Sequence, residues 1–286
     1  MREVLMQIRF RKIQAAGNDY VYISNFDRRI LNKSELAKIL SDRHFGVGGD
    51  GVVFVEDSPT FDGKMVMFNA DGTEGNMCGN AIRAVAKILS ENGRITGDLA
   101  VIDTKSGPKE VRILKRDPFV AKVDMGHVSF SGADLPVNFK GDCTEIPFTN
   151  RGRKRIFSAV STGNFHAVTT VNSVAGLDLS KMKKAILSSG FFQGDVNVEV
   201  CEILSESAVK VRVFERGTGE TLACGTGATA AVAALRRRNL LFSKTVDVYM
   251  KGGKLQVEED GGRFFLTGEA EDVFEGTAYA EVVYDK

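Results

Sequence analysis

The feature that most constrains this chain is a repeated segment. "MCGNAIRAVAKIL", residues 77 to 89, recurs with small changes as "ACGTGATAAVAAL", residues 223 to 235. The offset between Cys78 and Cys224 is 224 − 78 = 146 residues, in a chain of 286. A chain of this length is most simply two domains of roughly 150 residues, each able to bury its own core. The repeat therefore predicts two duplicated halves.

Both copies predict helices that are apolar around most of their circumference. A helix on a protein surface carries a single apolar stripe, and neither copy leaves room for a polar face. The apolar positions are Ala81, Ile82, Ala84, Val85, Ala86, Ile88 and Leu89 in the first copy, and Ala228, Ala230, Ala231, Val232, Ala233, Ala234 and Leu235 in the second. Such helices must be buried nearly all round. We therefore predict an α/β (α+β mixed) fold of two pseudo-symmetric, β-barrel-like halves, each a curved sheet wrapped around a central helix.

Local sequence patterns predict the strands that would form these curved sheets. Alternating or β-branched runs predict strands at residues 21–25, 51–56, 64–69, 111–114, 196–203, 209–215 and 245–250. Helices are predicted at about 33–43, 79–90, 177–189 and 225–238. Asn32 and Glu35 are expected to cap the first helix as a pair. The boundary between the halves is expected near 123–128.

Composition narrows the choice of partners. The 38 basic and 37 acidic residues nearly cancel, so the strong field that favours nucleic acid or an anionic membrane is missing, and a small molecule is the better expectation. No apolar stretch approaches the length of about 18 residues that a membrane-spanning helix needs, and "MREVLMQIRFRKIQ" is too charged for a signal peptide. We expect a cytoplasmic protein. Its four cysteines should then be thiols, and without a C-x-x-C pair no zinc site is expected.

The repeated cysteines are candidates for chemistry. At a helix N-terminus, unpaired backbone N–H groups and the positive end of the helix dipole favour a thiolate, so the thiol pKa is expected to fall below about 8.5. The same N–H groups can bind a carboxylate. They belong to Gly79, Asn80, Gly225 and Thr226. The unrepeated Cys143 and Cys201 are expected to be inert core residues.

Two thiols next to a carboxylate-binding site suggest inversion at a carbon atom that bears a carboxylate. One base removes the α-proton from one face while an acid delivers a proton to the opposite face. Two equivalent groups, one a thiolate and one a thiol, can do this in both directions by exchanging roles. Near-symmetric halves suit a near-symmetric reaction.

Two further motifs need separate interpretations. "GVGGDG", residues 46 to 51, matches G-x-G-x-x-G, but a strand follows it instead of preceding it, so we expect a turn and no nucleotide site. Among the histidines, His44 and His127 are expected to be structural. His166 lies in "STGNFH", whose small polar residues are typical of a lined pocket, and it is a candidate site residue.

Charged and amide residues near the second repeat suggest substrate recognition. Glu215 and Arg216 end a strand before Cys224, where the guanidinium can hold a carboxylate through two hydrogen bonds. A solvated charge pair in a loop is the competing interpretation. Asparagines recur at predicted turns as Asn18, Asn69, Asn164 and Asn197. Turn chemistry explains each alone, but together with Arg216 they can bind the ammonium and carboxylate groups of an amino acid.

Several segments, in order and spacing, resemble the diaminopimelate epimerase family, a group of pyridoxal-independent amino-acid epimerases. They are "AAGNDY" (15–20), "FNADGTEGNMCGN" (68–80), "GNFH" (163–166), "VNVE" (196–199), "ERGTGETLACGTGA" (215–228) and "GEAEDVFEG" (268–276). The "ERGTGETLACGTG" segment is the most specific, because proline racemases share the Cys-Gly helices but carry different flanks. The resemblance implies interconversion of LL- and meso-diaminopimelate for lysine and peptidoglycan synthesis, with no metal or organic cofactor.

The resemblance also implies residue roles. Cys78 and Cys224 would be the acid/base pair, and His166 and Glu215 would lie beside them and assist proton transfer, with Glu215 also contacting the substrate. The carboxylate at the reacting centre would be held by Gly79, Asn80, Gly225 and Thr226. The distal end of the substrate would be held by Asn18, Asn69, Asn164, Asn197 and Arg216.

The resemblance implies a homodimer and a C-terminal strand that returns to the first half. We accordingly expect one half to comprise residues 1–124 plus 270–286, with Cys78, and the other residues 125–269, with Cys224. The family pattern is not followed at Gly51, where many members have glutamine, at Phe165, where proline is usual, at Ala81, where glycine is usual, and in 187–197, which lacks the usual His and Phe-Pro. These departures concern the distal pocket and therefore substrate strictness.

Three other functions stay open at this point. A racemase of the same fold would act on an amino acid with one carboxylate, which would not need Arg216. A Cys-His hydrolase would use one of the thiols with His166 and form a covalent acyl-enzyme. A binding protein without catalysis would carry two free thiols at helix N-termini as an oxidation liability.

Overall fold

The computed structural model describes residues 2–284 and divides into two compact units. The first unit contains the residues up to Val123 and those from Gly268 onward, and the second is Asp124–Thr267. The first unit includes both ends of the described chain because strands β1 (Arg2–Ala15) and β18 (Glu271–Tyr284) pair antiparallel along their length.

The first unit contains two helices and a mixed sheet. The helices are α1 (Lys33–Ser41) and α2 (Ala81–Glu91). Besides β1 and β18, its strands are β2 (Asn18–Ser24), β3 (Gly51–Glu56), β4 (Gly63–Asn69), β5 (Glu74–Gly75), β6 (Leu99–Asp103), β7 (Lys109–Arg116) and β8 (Phe119–Gly126), the last of which ends three residues beyond Val123.

The second unit repeats this arrangement. Its helices are α3 (Leu179–Leu187) and α4 (Gly225–Arg237), and a short 3-10 turn spans Gly132–Asp134. Its strands are β9 (Ile146–Asn150), β10 (Arg153–Ser161), β11 (Phe165–Thr170), β12 (Asn197–Ser205), β13 (Ala208–Glu215), β14 (Gly219–Thr221), β15 (Thr245–Met250), β16 (Gly253–Asp260) and β17 (Arg263–Glu269).

The strands of the two units share one hydrogen-bonding scheme as well as one sequence repeat. The parallel pair β2–β3 corresponds to β11–β12, and the parallel pair β4–β6 corresponds to β13–β15. Partner residues recur at the offset of the cysteines: Tyr20 with Gly51 and His166 with Asn197, Met67 with Gly75 and Val213 with Thr221. Each residue near the first thiol therefore has a defined counterpart near the second.

In each unit, one buried helix packs against five strands. Helix α2 packs against β1, β2, β3, β4 and β7, and helix α4 packs against β10, β11, β12, β13 and β16. Eight of the eleven residues of α2 are buried, as are ten of the thirteen residues of α4. A helix in contact with five strands of its own unit requires a sheet that curves around it. The predicted fold class is confirmed.

The local predictions were less accurate at the ends of elements. Helix α1 ends at Ser41 instead of residue 43, and the expected Asn32–Glu35 cap is wrong, because the Asn32 side chain makes no cap bond to α1. Instead Asn32 bonds the backbone of Glu281 and Val283 on β18. A tertiary contact that the local sequence does not indicate has replaced the cap. No helix of residues 2–284 is both long and apolar enough to cross a membrane.

The central helix of the first unit should dominate the stability of that unit. Leu89 is completely buried in α2, whereas Leu114 on β7 is 51% exposed. Replacing Leu89 by Ala removes buried methyl groups and leaves a cavity, so we expect a loss of about 2–5 kcal/mol in the free energy of unfolding. Leu114→Ala should change it by less than about 0.5 kcal/mol. Urea unfolding followed by circular dichroism measures both; equal losses would contradict a core centred on α2.

Candidate functional site

In the second unit, Cys224 is the N-cap residue of α4. Its backbone is extended, and its carbonyl accepts the first helical hydrogen bond from the Ala228 N–H. Its Sγ accepts a hydrogen bond from the Gly227 N–H at 3.4 Å and lies 3.3 Å from Oγ1 of Thr226. The thiol therefore contacts one of the backbone N–H groups that the helix itself cannot pair, at a helix N-terminus where an anion would be stabilised.

The prediction that the pKa of Cys224 falls is wrong, because its surroundings raise that pKa. Cys224 is 7% exposed, and burial raises the pKa of its thiol well above the ordinary value, with Glu215 and Glu199 adding to the rise. The hydrogen bonds from Thr226 and Gly227 act in the opposite direction but are weaker effects. Desolvation and two nearby carboxylates outweigh the helix N-terminus here, so Cys224 is a neutral thiol at neutral pH.

A chain of hydrogen bonds connects His166 to this thiol. His166 is completely buried on β11; its Nδ1 is 2.7 Å from Oε1 of Glu199, and its Nε2 is 2.9 Å from Oδ1 of Asn164. The Asn164 side-chain amide donates to Oγ1 of Thr226 at 3.2 Å. The hydrogen bonds of His166 within residues 2–284 thus reach Cys224 only through Asn164 and Thr226. The arrangement suits a residue that orients its neighbours.

Glu199 was not among the predicted site residues. It is completely buried on β12, and its Oε2 has no hydrogen-bond partner in the described part of the chain. A Cβ atom at Gly227 would lie 2.7 Å from Oε1 of Glu199, so only glycine lets the carboxylate approach the first turn of α4 so closely. A glutamate in a strand of alternating polar and apolar residues usually faces solvent. That Glu199 faces the core follows only from the register of β12 with β11, in which Asn197 pairs with His166.

Four predicted residues surround one cavity in the second unit. The cavity has a volume of about 160 Å³ and is lined by Asn164, Phe165, Asp195, Asn197, Glu215 and Arg216. Oδ1 of Asn197 accepts a hydrogen bond from the Arg216 N–H at 2.8 Å, which fixes the backbone at the end of β13. The guanidinium of Arg216 is exposed and has no carboxylate partner among the described residues. Oε1 of Glu215 accepts a hydrogen bond from the Thr221 hydroxyl.

In the first unit, Cys78 lies two residues before Asn80, the N-cap residue of α2. Its carbonyl accepts a hydrogen bond from the Ile82 N–H, the counterpart of the bond between Cys224 and Ala228. Its thiol donates to Oδ1 of Asn18 at 3.3 Å. The Asn18 amide donates in turn to Oδ2 of Asp50 at 2.6 Å. Asn18, predicted to bind substrate, is therefore in direct contact with a candidate acid/base thiol.

Arg83 is the second residue near a thiol that the sequence analysis missed. It lies on α2, and no part of it is exposed. Its guanidinium donates to the carbonyl of Gly79 at 3.0 Å and to Oδ1 of Asn80 at 3.2 Å, and no carboxylate pairs with it within residues 2–284. Its position inside an apolar helix gave no signal except the charge itself, which a buried helix rarely contains. Asn80 is 1% exposed, and its side-chain oxygen accepts the hydrogen bond from Arg83.

Asn69 and Gly51, which the sequence analysis singled out, lie at the end of β4 and at the start of β3. Asn69 is exposed, and its side-chain amide donates to Oγ1 of Thr73 within a turn. A Cβ atom at Gly51 would lie 2.1 Å from the carbonyl oxygen of Phe68, so this backbone admits no side chain there. The absence of glutamine at position 51 is thus a packing requirement of the β3–β4 pair in this protein.

The remaining sequence predictions concern non-catalytic residues. Residues 46–50 form a turn between α1 and β3, held by hydrogen bonds from Val47 and Gly48 to the Leu40 carbonyl. His44 and His127 are exposed, and Nδ1 of His127 is 2.9 Å from the carbonyl of Gly262. Cys143 and Cys201 are completely buried, and none of the four cysteines forms a disulfide. The turn and the burial of Cys143 and Cys201 agree with the sequence predictions.

Solved structures of other proteins share this fold. A phenazine biosynthesis protein of the PhzF family from Bacillus anthracis superposes with a TM-score of 0.67 at 17% identity, over 96% of this chain and 99% of the other. A hydroxyproline epimerase from Agrobacterium vitis superposes with a TM-score of 0.64 at 15% identity, over 100% of this chain and 94% of the other. The chain therefore has the fold that these two proteins share.

Sequence comparison identifies the family among proteins of this fold. The diaminopimelate epimerase profile matches residues 10–131 and 158–273. The diaminopimelate epimerase of Desulfovibrio desulfuricans is 42% identical over 283 residues, covering 95% of this chain and 98% of the relative. That of Acetivibrio thermocellus is 38% identical over 278 residues, covering 94% and 98%. The chain belongs to the diaminopimelate epimerase family, whose members are isomerases.

The close approach of Glu199 to Gly227 can be tested by a double-mutant cycle. The methyl group of Gly227→Ala has no space beside the carboxylate, so we expect a loss of about 1–3 kcal/mol in stability. In a Glu199→Ala background the methyl group has room, and the same substitution should cost less than half as much. Thermal unfolding of the four proteins gives the coupling energy. Additive effects would show that the two residues do not touch.

Proposed function

We propose that this protein interconverts LL- and meso-diaminopimelate by moving one proton off and another onto the α-carbon, without a metal or an organic cofactor. The observation that carries the proposal is the family membership, with 42% identity to a relative over nearly the whole chain. The two cysteines at the starts of equivalent buried helices support the same reaction. A duplicated thiol is what a two-base inversion requires.

The proposed proton transfer uses the thiols in unlike states. Cys224, kept neutral by burial and by nearby carboxylates, serves as the acid. Cys78 as a thiolate serves as the base, and it takes the α-proton from one face while Cys224 gives its proton to the other. In the reverse reaction the two residues exchange roles. No proton is gained or lost overall, because one enters the substrate for each one that leaves.

Backbone N–H groups are proposed to stabilise the charge that develops in the reaction. When the α-proton leaves, negative charge spreads into the adjacent carboxylate, and fixed N–H donors at a helix N-terminus stabilise that charge. The proposed donors are Gly79, Asn80, Gly225 and Thr226. The hydrogen bond that Sγ of Cys224 accepts from the Gly227 N–H, in the same helical turn, supports this proposal for the second unit.

The distal end of the substrate is proposed to bind at the cavity of the second unit. Its walls provide a guanidinium from Arg216, carboxylates from Glu215 and Asp195, and amides from Asn164 and Asn197. This set matches a second amino-acid head group, which carries one negative and one positive charge. A substrate with one carboxylate would leave Arg216 without a partner, which disfavours a racemase for simple amino acids. Asn18 and Asn69 are proposed to complete the substrate contacts.

His166 and Glu215 are proposed to assist at the second thiol. His166 holds Asn164, which in turn holds Thr226 beside Sγ of Cys224. Glu215 adds to the raised pKa of Cys224 and so favours its protonated form. Both residues therefore support a thiol that donates a proton, and His166 acts through other side chains.

The cellular setting is also a proposal. The activity would serve lysine and peptidoglycan synthesis in the cytoplasm, and we propose a homodimer that binds no nucleic acid. The near balance of 38 basic and 37 acidic residues supports the last point. Light scattering coupled to size-exclusion chromatography distinguishes the mass of a dimer from that of a 31.1 kDa monomer.

The activity is tested by incubating the reduced protein with LL-diaminopimelate and separating the stereoisomers by chiral chromatography. We expect the meso isomer to accumulate to equilibrium. Cys78→Ala and Cys224→Ala should each lower the rate at least about 10²-fold, because each removes one acid/base group. Cys201→Ala is the matched control and should retain activity. A wild type that leaves diaminopimelate unchanged would contradict the proposal, and activity that survives in one of the two variants would favour a single-thiol reaction.

The role of Arg216 is tested by Arg216→Met, with Lys210→Met on the same strand as the control. Loss of a charge-assisted hydrogen bond to the distal carboxylate should lower kcat/KM for diaminopimelate about 10–100-fold. Lys210 is exposed on β13 outside the cavity, and its substitution should have no effect. Equal kcat/KM values in Arg216→Met and wild type would show that the distal carboxylate binds elsewhere.

A further inference from the structure

Two of the places where this sequence departs from the family pattern meet at the cavity of the second unit. Phe165 stands where proline is usual, and residues 187–197 lack the usual His and Phe-Pro. Phe165 and Asp195, which lies in the second segment, both line the cavity. Asp195 is the charged one of the two, so it can change which ligands the cavity accepts.

The carboxylate of Asp195 is held by a lysine of α3. Its Oδ1 lies 2.7 Å from Nζ of Lys183, whose side chain is 9% exposed. The same Nζ lies 5.1 Å from the centroid of the Phe214 ring on β13. An ammonium group between a carboxylate and an aromatic face has few alternative positions, so Lys183 fixes the carboxylate in turn.

The chain around Asp195 is also fixed by packing. Phe192 forms an isolated β-bridge with Val137, and Val196, the residue after Asp195, is 1% exposed. These three apolar residues belong to one hydrophobic core of the second unit. Asp195 is therefore exposed at the cavity on a segment whose neighbouring residues are buried.

Charges of both signs line the cavity without pairing with one another. The guanidinium of Arg216 is exposed, and within residues 2–284 it forms no ion pair with Asp195 or Glu215. Oε1 of Glu215 accepts a hydrogen bond from the Thr221 hydroxyl. A ligand group that carries both a cation and an anion can pair with the opposite charges of the walls at the same time.

The fixed charges around the cavity sum to zero. Lys183 and Arg216 supply two positive charges, and Asp195 and Glu215 supply two negative charges. A ligand group without net charge therefore enters without leaving an unpaired charge. An amino-acid head group, with a carboxylate and an ammonium on one carbon atom, is such a group, whereas a carboxylate alone is not.

We infer that Asp195 is a specificity-determining residue that binds the distal ammonium group of the substrate, and that Lys183 positions its carboxylate. The inference rests on the proposed function and deepens it, because it narrows the substrate to amino acids with a second amino group beside the distal carboxylate. Arg216 pairs with that carboxylate. Asp195 pairs with the ammonium through Oδ2, since Lys183 holds Oδ1.

The test compares two ligands that differ only in the distal amino group. One is LL-diaminopimelate, and the other is L-2-aminopimelate, which keeps the carbon chain and both carboxylates. The kcat/KM for diaminopimelate is measured by chiral chromatography. The affinity for aminopimelate is measured as its inhibition constant against the same reaction, which reports binding whether or not this ligand reacts.

Asp195→Asn should lower kcat/KM for diaminopimelate about 10–100-fold, because a charge-assisted hydrogen bond is lost. The inhibition constant of aminopimelate should change less than about threefold, since this ligand has no distal ammonium. An unchanged kcat/KM, or an equal loss of affinity for both ligands, would overturn the inference. The second result is the one expected if Asp195 served only to anchor Lys183.

Two further variants serve as controls for this comparison. Arg216→Met should weaken both ligands, because both carry the distal carboxylate. Asp260→Asn should leave both unchanged, since Asp260 pairs with Lys244 at 2.9 Å on β16 and lies outside the cavity. If Arg216→Met spared aminopimelate, the two head-group charges would not be divided between Arg216 and Asp195, and the inference would fail.

The role of Lys183 is tested by a double-mutant cycle on kcat/KM. Lys183→Met keeps most of the side-chain volume but releases the carboxylate, so we expect a lower kcat/KM for diaminopimelate, which Lys183→Arg should largely restore. In an Asp195→Asn background the same substitution should have little further effect. A rise in kcat/KM, or equal losses in both backgrounds, would overturn the positioning role.

Failure of the proposed function gives a different result from failure of this inference. A wild type that binds diaminopimelate without epimerising it would contradict the proposed function. Titration calorimetry with the two ligands then provides the same comparison without catalysis. Asp195→Asn should weaken only diaminopimelate, and equal affinities of wild type and Asp195→Asn for diaminopimelate would overturn the inference alone.

Discussion

The structure depends on the burial of two helices that have no polar face. Helices α2 and α4 are each in contact with five strands of their own unit, and such a helix can be hidden from water only by a sheet that curves around it. The burial fixes the direction and depth of each helix. Its N-terminal N–H groups, which the sheet cannot satisfy, then lie near the cysteine that precedes the helix. In each unit, the proposed acid/base cysteine lies where the packing of an apolar helix ends.

The same burial determines how the thiols behave. A helix N-terminus favours a thiolate, but a buried position disfavours any charge, and at Cys224 the second effect is larger because two carboxylates reinforce it. The first unit instead has a buried guanidinium, that of Arg83, which bonds the carbonyl of Gly79. Pseudo-symmetry of the backbone is thus compatible with different charged groups in the two units, and the proposed two-base reaction needs one acid and one base at any moment. The charge difference resides in a few side chains, Arg83 and Glu199 foremost.

The features of the fold that depend on periodicity and repetition could be predicted from the sequence. The offset between Cys78 and Cys224 predicted the duplication, and the apolar circumference of both helices predicted curved sheets around them. The contents of the site were harder to predict, because neighbours across a sheet depend on strand register. Glu199 lies beside His166 and Gly227 through the pairing of β11 with β12, a parallel pair separated by a helix in the chain. Asn32 likewise bonds β18 instead of capping α1. The direction in which the pKa of Cys224 changes also could not be predicted from the sequence, because it depends on the burial of the thiol.

Isotope exchange tests the central claim, that two different groups move the proton off and onto the α-carbon. The reduced protein would be mixed with LL-diaminopimelate in deuterated water, and the α-proton of substrate and of product would be followed by proton NMR at low conversion. Two distinct acid/base groups predict that the meso product carries deuterium at the inverted carbon while the unreacted substrate still retains its proton. A single group acting on both faces would contradict the account: deuterium would then enter substrate and product at equal rates.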